Sequence, residues 1–305
     1  MRVVSLLPAA TEIVAALGLV DDLVGVSHEC DHPAEVTANR PRVTHCAIHG
    51  NALPSAAIDR WVTDALGTNG TLYTMDEPLL RRLAPDAILT QRLCDVCAVG
   101  YGSVAAFAAT LPHPPRVVDL DPTTLAGVLG DIRTVGEALG VPERAADVVA
   151  ALEARVEAVR ARATGAPRRR CVLLEWIDPP FRTGHWGPEL VDIAGGTELL
   201  GRTGEPATRI PWQAVVDAAP DVVVLACCGF DVARTLDDVA LLRAASGWAT
   251  LPAVARGEVW AVDGAAYFSR PGPRIVDSLE LLASLLHPDR FPARYPERVA
   301  TRVAV

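Results

Sequence analysis

Short runs of consecutive apolar residues alternate along this chain with longer stretches in which apolar residues return every three or four positions. RVVSLLP, DLVGVS, AILTQ, RVVDLDP, CVLLEW, VVVLA and VWAVDG read as short strands buried on both faces. Helices are expected between them: near 11–17, ended by Gly18 with Glu12 in the first turn, near 77–83, over GPELVDIAGG, and over 213–218. The closing stretch PRIVDSLELLASLLHP sets Ile275, Leu279, Leu282 and Leu286 on one helical face. Strands and helices in strict alternation predict an α/β fold with parallel-rich sheets.

One segment occurs twice. LAPDAILTQ, with Pro85 and Asp86, and AAPDVVVLA, with Pro220 and Asp221, each read as a helix end, a Pro-Asp turn and a buried strand. A repeated half implies two Rossmann-like lobes with a ligand cleft between them. From Thr123 to Thr164 the pattern is helical, interrupted where Gly140 and Pro142 end one helix and begin the next. The second helix has roughly 20 residues without an internal glycine, a rod of about 30 Å that would act as a rigid backbone connector. The expected organisation is an N-terminal lobe over 1–122, a helical linker over 123–165 and a C-terminal lobe over 166–305.

Composition narrows the function classes. Half of the 305 residues are hydrophobic, yet no apolar run approaches the length of a bilayer span. Acidic residues outnumber basic ones, 37 to 28, and the only basic run is Arg168 to Arg170, so nucleic acid is not an expected partner. The opening residues form a strand with one arginine before it, not the charged region, apolar stretch and small-residue site of a secretory leader. Seven cysteines, including a CxxC and an adjacent pair, suit a reducing compartment better than a disulfide framework. The expected location is therefore cytoplasmic.

In an open parallel sheet the ligand sits beyond the carboxyl ends of the strands. Those ends fall at 8–10, 28–32, 91–97, 176–186, 227–230 and 265–270, which brings in Pro8 and Gln91. Aromatic residues are only 5% of the chain, yet Trp176, Phe181, Trp186, Phe230, Tyr267 and Phe268 all stand in these loops, and Trp212 lies just before a helix. They offer flat faces to a large, partly apolar ligand or, equally, plugs for lobe packing. His185, between Gly184 and Gly187 ahead of a helix, is a candidate anion or amide recognition point or a solvated turn residue. His28, Cys30, Cys94 and Cys97 could gather as a metal site, although buried thiols also serve as small hydrophobes. Of Cys227 and Cys228, alternation should turn one toward the ligand side and the other into the core. No phosphate loop, nucleophile elbow or GxGxxG occurs.

Taken in order, RVVSLLPAATEIVAALG, PDAIL, IDPPFRTG, PELVDIAGG, IPW and YFSRPGPRI resemble the helical-backbone class of substrate-binding proteins that serve ABC importers of cobalamin, siderophores and haem, with the periplasmic cobalamin binders nearest. The resemblance covers almost the whole chain and implies binding without catalysis. Carried over by position, it points to Phe181, Trp212 and Phe268 as corrin contacts, with Arg270 and Pro8 nearby. It also implies a surface glutamate seven residues before each Pro-Asp proline, used to dock the permease; Pro78 and Gln213 stand there instead, with Glu77 one position off. Docking to an ABC permease is thereby doubtful.

The reading that unites these features is a monomeric, non-catalytic protein that binds a small molecule, a corrinoid such as cobalamin or its precursor cobinamide. Two alternatives stand beside it. One is a metal, haem or siderophore binder that uses the Cys and His loops. The other is a corrinoid-modifying enzyme on the same scaffold, for which Glu175, Asp178, His185 and Glu29 are the available acids and bases.

Overall fold

The computed structural model describes residues 1–46, 53–69, 71–92, 98–292 and 294–304. The chain forms two compact units. One comprises Met1–His49, Arg60–Pro122 and Ala126–Leu152; the other comprises Gly50–Asp59, Thr123–Leu125 and Glu153–Val305. Among the described residues, no helix is long and apolar enough to cross a membrane.

The first unit is built on β1 (Val3–Ser5), α1 (Pro8–Ala16), β2 (Leu23–Val26), α2 (Ala34–Thr37) and β3 (Thr44–Cys46). After α3 (Ser55–Asn69) come β4 (Tyr73–Met75), α4 (Glu77–Leu83), β5 (Ala87–Gln91), α5 (Tyr101–Ala108), β6 (Arg116–Leu120) and α6 (Leu125–Ala138). Strands pair in the order β2-β1-β5-β6, all parallel, while β3 and β4 form a separate antiparallel pair. Every residue of β5 is buried, as a strand covered on both faces requires. Val4, Leu6, Val43, Leu80, Ile88, Val104 and Phe107 meet in one core between sheet and helices.

The helix α7 (Pro142–Ala163) carries proline at its first position, and the boundary between the units falls inside it, after Leu152. The second unit continues with β7 (Arg169–Trp176), β8 (Phe181–Arg182), α8 (Gly187–Ile193), β9 (Gly196–Glu198) and β10 (Thr208–Arg209). It is completed by α9 (Trp212–Ala218), β11 (Val222–Leu225), α10 (Val232–Ala244), α11 (Pro252–Ala255), β12 (Val259–Val262), α12 (Ile275–Leu286) and β13 (Ala300–Arg302). Its sheet runs β10-β8-β7-β11-β12-β13, with β9 also against β7. The β7, β11 and β12 centre is parallel, and β8, β10 and β13 are antiparallel additions. The stripe Ile275, Leu279, Leu282 and Leu286 on α12 is fully buried, as its spacing predicts.

The repeated Pro-Asp segment is the same corner built twice. In each unit a helix ends on an alanine in the left-handed region, Ala84 and Ala219, both at φ 42°. Asp86 N donates to Arg2 O at 2.8 Å and Asp86 Oδ2 accepts from Arg2 N at 2.7 Å. Asp221 N donates to Arg170 O at 2.8 Å and Asp221 Oδ2 accepts from Arg170 N at 3.2 Å. The arginine then reaches the end of the preceding helix, Arg2 to Leu83 O and Arg170 to Ala218 O. One expectation needs correction: α1 begins at Pro8, so Glu12 sits in its second turn, buried at 4% exposure, and does not complement the helix dipole.

Candidate functional site

The carboxyl end of β7 carries a bulge. Leu174 pairs with Arg182 and Trp176 with Phe181, which leaves Glu175 as the extra residue on its strand. Phe181 is in turn directly opposite Arg209 on β10. Directly opposed residues of antiparallel strands share a face, so Arg209, Phe181 and Trp176 form a row across three strands. Phe230, which ends the loop after β11, extends the row with its ring centroid 4.6 Å from that of Trp176. Each end carries a cation: the Arg209 guanidinium lies 5.7 Å from the Phe181 centroid and that of Arg234 lies 4.2 Å from the Phe230 centroid. Trp176 and Phe181 are half-buried, whereas Phe230 is buried at 3% exposure and forms the floor.

The loops around this row are braced by buried polar groups. Glu175 Oε1 accepts the Thr183 hydroxyl at 2.7 Å and the Gly184 amide at 3.0 Å. Burial pushes the Glu175 carboxyl up from the usual carboxylate range, against those two bonds. Turned inward on its own loop, it acts as a brace. Beyond it, His185 adopts φ 50° and stacks on Trp186, with centroids 5.6 Å apart. Trp186 Nε1 donates to Phe268 O at 3.0 Å, and Trp186 and Phe268 are both buried, so these two side chains pack the loop. The π-helical turn Gly264–Phe268 is capped by Asp263 and tied to the floor by Ala265 N donating to Phe230 O at 3.0 Å. A side chain at Gly264 would meet Cys227 O at 2.2 Å, so only glycine permits this approach. Tyr267 carries Arg274 5.6 Å over its ring, and Arg270 is buried.

Cys227 and Cys228 divide as alternation predicts, one buried and one exposed; burial above all pushes the Cys227 thiol to about 12. Asp178 uses its carbonyl to accept from Trp176 Nε1 at 3.1 Å. Trp212 is the aromatic that the structure sets apart. It is the first residue of α9, its indole donates to Ser246 O at 2.9 Å and it lies against Trp248, past the far end of α10. About 20 Å of helix separates that position from Phe230.

In the first unit the strand ends carry hydroxyls, a thiol and an imidazole. Thr11 Oγ1 donates to Ser5 Oγ at 2.9 Å and approaches Cys30 Sγ at 3.1 Å. His28 Nδ1 is 2.7 Å from Thr44 Oγ1, and its Nε2 is 3.2 Å from Glu29. Pro8 opens α1, and Gln91, buried, ends β5. Among the described residues, no three His, Cys, Asp or Glu side chains are placed to hold a metal ion; Cys94 and Cys97 lie outside those residues.

Sequence reasoning missed Arg234, Arg209 and the latter's partner Asp59, whose two oxygens accept from Arg209 Nη2 at 2.9 and 3.0 Å. The two-residue strands β8 and β10 leave no periodic signal, and the partners are 150 positions apart.

The model of a family described as periplasmic binding protein matches residues 3–266. The vitamin B12-binding protein of Vibrio cholerae is 24% identical over 297 residues, 93% of this chain and 88% of that protein. Among solved structures, the periplasmic vitamin B12 binding protein BtuF of Vibrio cholerae superposes with a TM-score of 0.66 at 22% identity, covering 93% of this chain and 96% of that one. The periplasmic heme-binding protein RhuT from Roseiflexus sp. RS-1, in apo form, does so with a TM-score of 0.70 at 22% identity, covering 95% and 98%.

Proposed function

The chain belongs to the periplasmic binding protein family, and on that premise we propose that it binds a corrinoid, cobalamin or a precursor such as cobinamide, without transforming it. The observation that carries this reading is the row Arg209, Phe181 and Trp176 with Phe230 as its floor. A half-buried indole and phenyl on one face of a ribbon suit the edge or plane of a large ring, and each aromatic pair contact is worth roughly 0.5–1.5 kcal/mol beyond area burial. Glu175, the acid at the row's bulge, supports binding over turnover, since it is spent on its own loop. The Vibrio cholerae relative named for vitamin B12 supports the corrinoid; the heme-binding neighbour makes haem the second reading.

Purified protein incubated with cobalamin, cobinamide or haemin and then desalted tests it. Retention of a corrin spectrum in one-to-one ratio, lost when Trp176 and Phe181 are both replaced by alanine, is the expected result. A colourless protein with cobalamin and cobinamide, together with retained haemin, would transfer the site to the second reading.

A further inference from the structure

Arg234 meets three partners with one planar group. It is the third residue of α10, whose cap is Asp231, and Asp231 Oδ1 accepts from Arg234 N at 2.8 Å. Long helical side chains lean toward the amino end of their helix, and the guanidinium accordingly lies 4.2 Å from the centroid of Phe230, four residues back. Its edge meets two oxygens: Nη2 donates to Leu53 O at 2.8 Å, and Nη1 stands 3.1 Å from Asp238 Oδ2. The side chains of Arg234 and Asp238 are only 10% and 9% exposed. Local helix energetics do not account for this residue. A cation in the first turn opposes the helix dipole, and an i, i+4 pair is better with its acid before its base than after it. Stability does not account for it either, because well-packed apolar side chains often match or exceed a buried ion pair. What remains is geometry, since a planar guanidinium stacks on a ring while its edge holds two oxygens, and an ammonium does not.

We propose, resting on the ring-binding reading above, that Arg234 is the positioning residue of the ring site: it fixes the tilt of the Phe230 floor and pins the chain at Leu53 beside it. Phe230 is buried, and its centroid is 4.6 Å from that of the half-buried Trp176 that the ligand would meet. The Phe230 backbone is already held, its N donating to Cys227 O at 3.1 Å and its O accepting from Ala265 N at 3.0 Å. Those bonds leave the rotation of the phenyl ring to the groups packed on it, and the guanidinium among them is itself oriented by Leu53 O and Asp238. Leu53 in turn leads into α3, whose first turn is closed by Ala57 N and Ile58 N donating to Pro54 O. A ring that lies on Trp176 thus finds the floor preset, and little ordering is left for binding to supply.

Arg234→Gln and Arg234→Lys in the full chain test this, with cobalamin, cobinamide and haemin as the ring probes. In unliganded protein the near-UV circular dichroism band of Trp176, identified by its loss in Trp176→Phe, is expected to lose intensity in both variants. Hydrogen exchange of the Ala57 and Ile58 amides should quicken in Arg234→Gln. Affinity for the ring that binds should fall by about tenfold in Arg234→Gln and about threefold in Arg234→Lys. In a Phe230→Ala background the loss from Arg234→Gln should shrink to about twofold or less, because the arginine acts through that ring. If Tm falls while the Trp176 band and the affinity stay, Arg234 only packs and the proposal is overturned. It is overturned equally if the losses from Arg234→Gln and Phe230→Ala multiply. Where Arg234→Gln does not fold, Asp238→Asn keeps the arginine but removes its counter-ion; the same changes are expected at smaller size, and their absence would overturn the proposal. If no ring binds to any form, the ring-binding reading falls, and the Trp176 band and the amide exchange alone decide on Arg234.

Discussion

In the first unit Asp86 receives the Arg2 amide beneath a left-handed Ala84, and in the second Asp221 receives the Arg170 amide beneath a left-handed Ala219. Past these corners the likeness ends. The strand ends of the first unit carry Ser5, Thr11, Cys30, His28 and Thr44 in short polar contacts, whereas those of the second carry the row of Trp176, Phe181 and Phe230 flanked by arginines. Backbone geometry is repeated because the same three bonds enforce it at each corner. The ligand face is not repeated because loops are free to vary once a corner has fixed where they start. Affinity for an apolar ring should therefore reside mainly in the second unit, and fold stability should be shared.

The hardest blow to that comparison comes from the cores. Leu89→Ala in β5 and Leu225→Ala in β11 each empty a fully buried site and are expected to cost about 3 kcal/mol in urea unfolding. Effects that differ by more than about 2 kcal/mol would break the equivalence of the two sheets.

The buried carboxyls sharpen the contrast. Asp131 of the first unit is pushed up to about 7 by burial first and then by Asp121 and Asp119. Glu198 of the second is also raised to about 7 by burial, but three amides, those of Leu173, Leu200 and Gly201, donate to it at 3.0 Å. A folded-state value above the unfolded one means that stability is complete below pH 4 and declines as pH rises toward 7. Asp131→Asn should accordingly raise Tm at pH 8 and leave it unchanged at pH 4. Glu198→Gln should lower Tm at both, with a stability loss of about 2 kcal/mol, because an NH2 would face amide donors. Opposite signs at pH 8 are the expected outcome; equal signs would show that the two carboxyls play one role.

Binding comes next in size. Trp176→Ala is expected to weaken the ring ligand by about tenfold to fiftyfold, and His28→Ala in the first unit by less than threefold, by the same fluorescence or absorbance titration. A larger effect at His28 would move the ligand face to the polar unit.

The corners give the smallest effects. Asp86→Ala and Asp221→Ala should each cost about 1 kcal/mol by thermal unfolding, since the bonds lost are solvent-accessible. Asp221 carries an additional pH signature. Burial acts to raise its carboxyl, but the Arg170 amide and the Arg256 guanidinium outweigh it and hold it below the usual range. Its contribution is present above about pH 4 and fades as the pH falls below that, and the alanine variant should lack this fade.

Much of this was readable from the chain. The bounds of β5 and the buried stripe of α12 follow from apolar spacing, and the break between α6 and α7 follows from Gly140 and Pro142. The strand-end argument groups Trp176, Phe181, Trp186, Phe230, Tyr267 and Phe268, and does not distinguish the row of 176, 181 and 230 from the rings that pack the loops. Trp212, just before a helix in the sequence, packs on Trp248, a neighbour that no local pattern announces. Arg209 and Asp59 had no signal, since a cross-strand row and an ion pair over 150 positions are products of assembly.

The unit boundary inside α7 bears on how such a protein can be taken apart. A cut between Leu152 and Glu153 passes through an unbroken helix and would leave four carbonyls unpartnered on the Leu152 side and four amides on the Glu153 side, next to buried Val149 and Val156. The second unit would also lose residues 53–59, which reach it from far upstream. Neither half is a contiguous stretch of the gene. Fragments, fusions and lobe swaps designed from the linear repeat would separate pieces that fold together, so a viable exchange has to move whole helices across the repeat, with α7 kept intact.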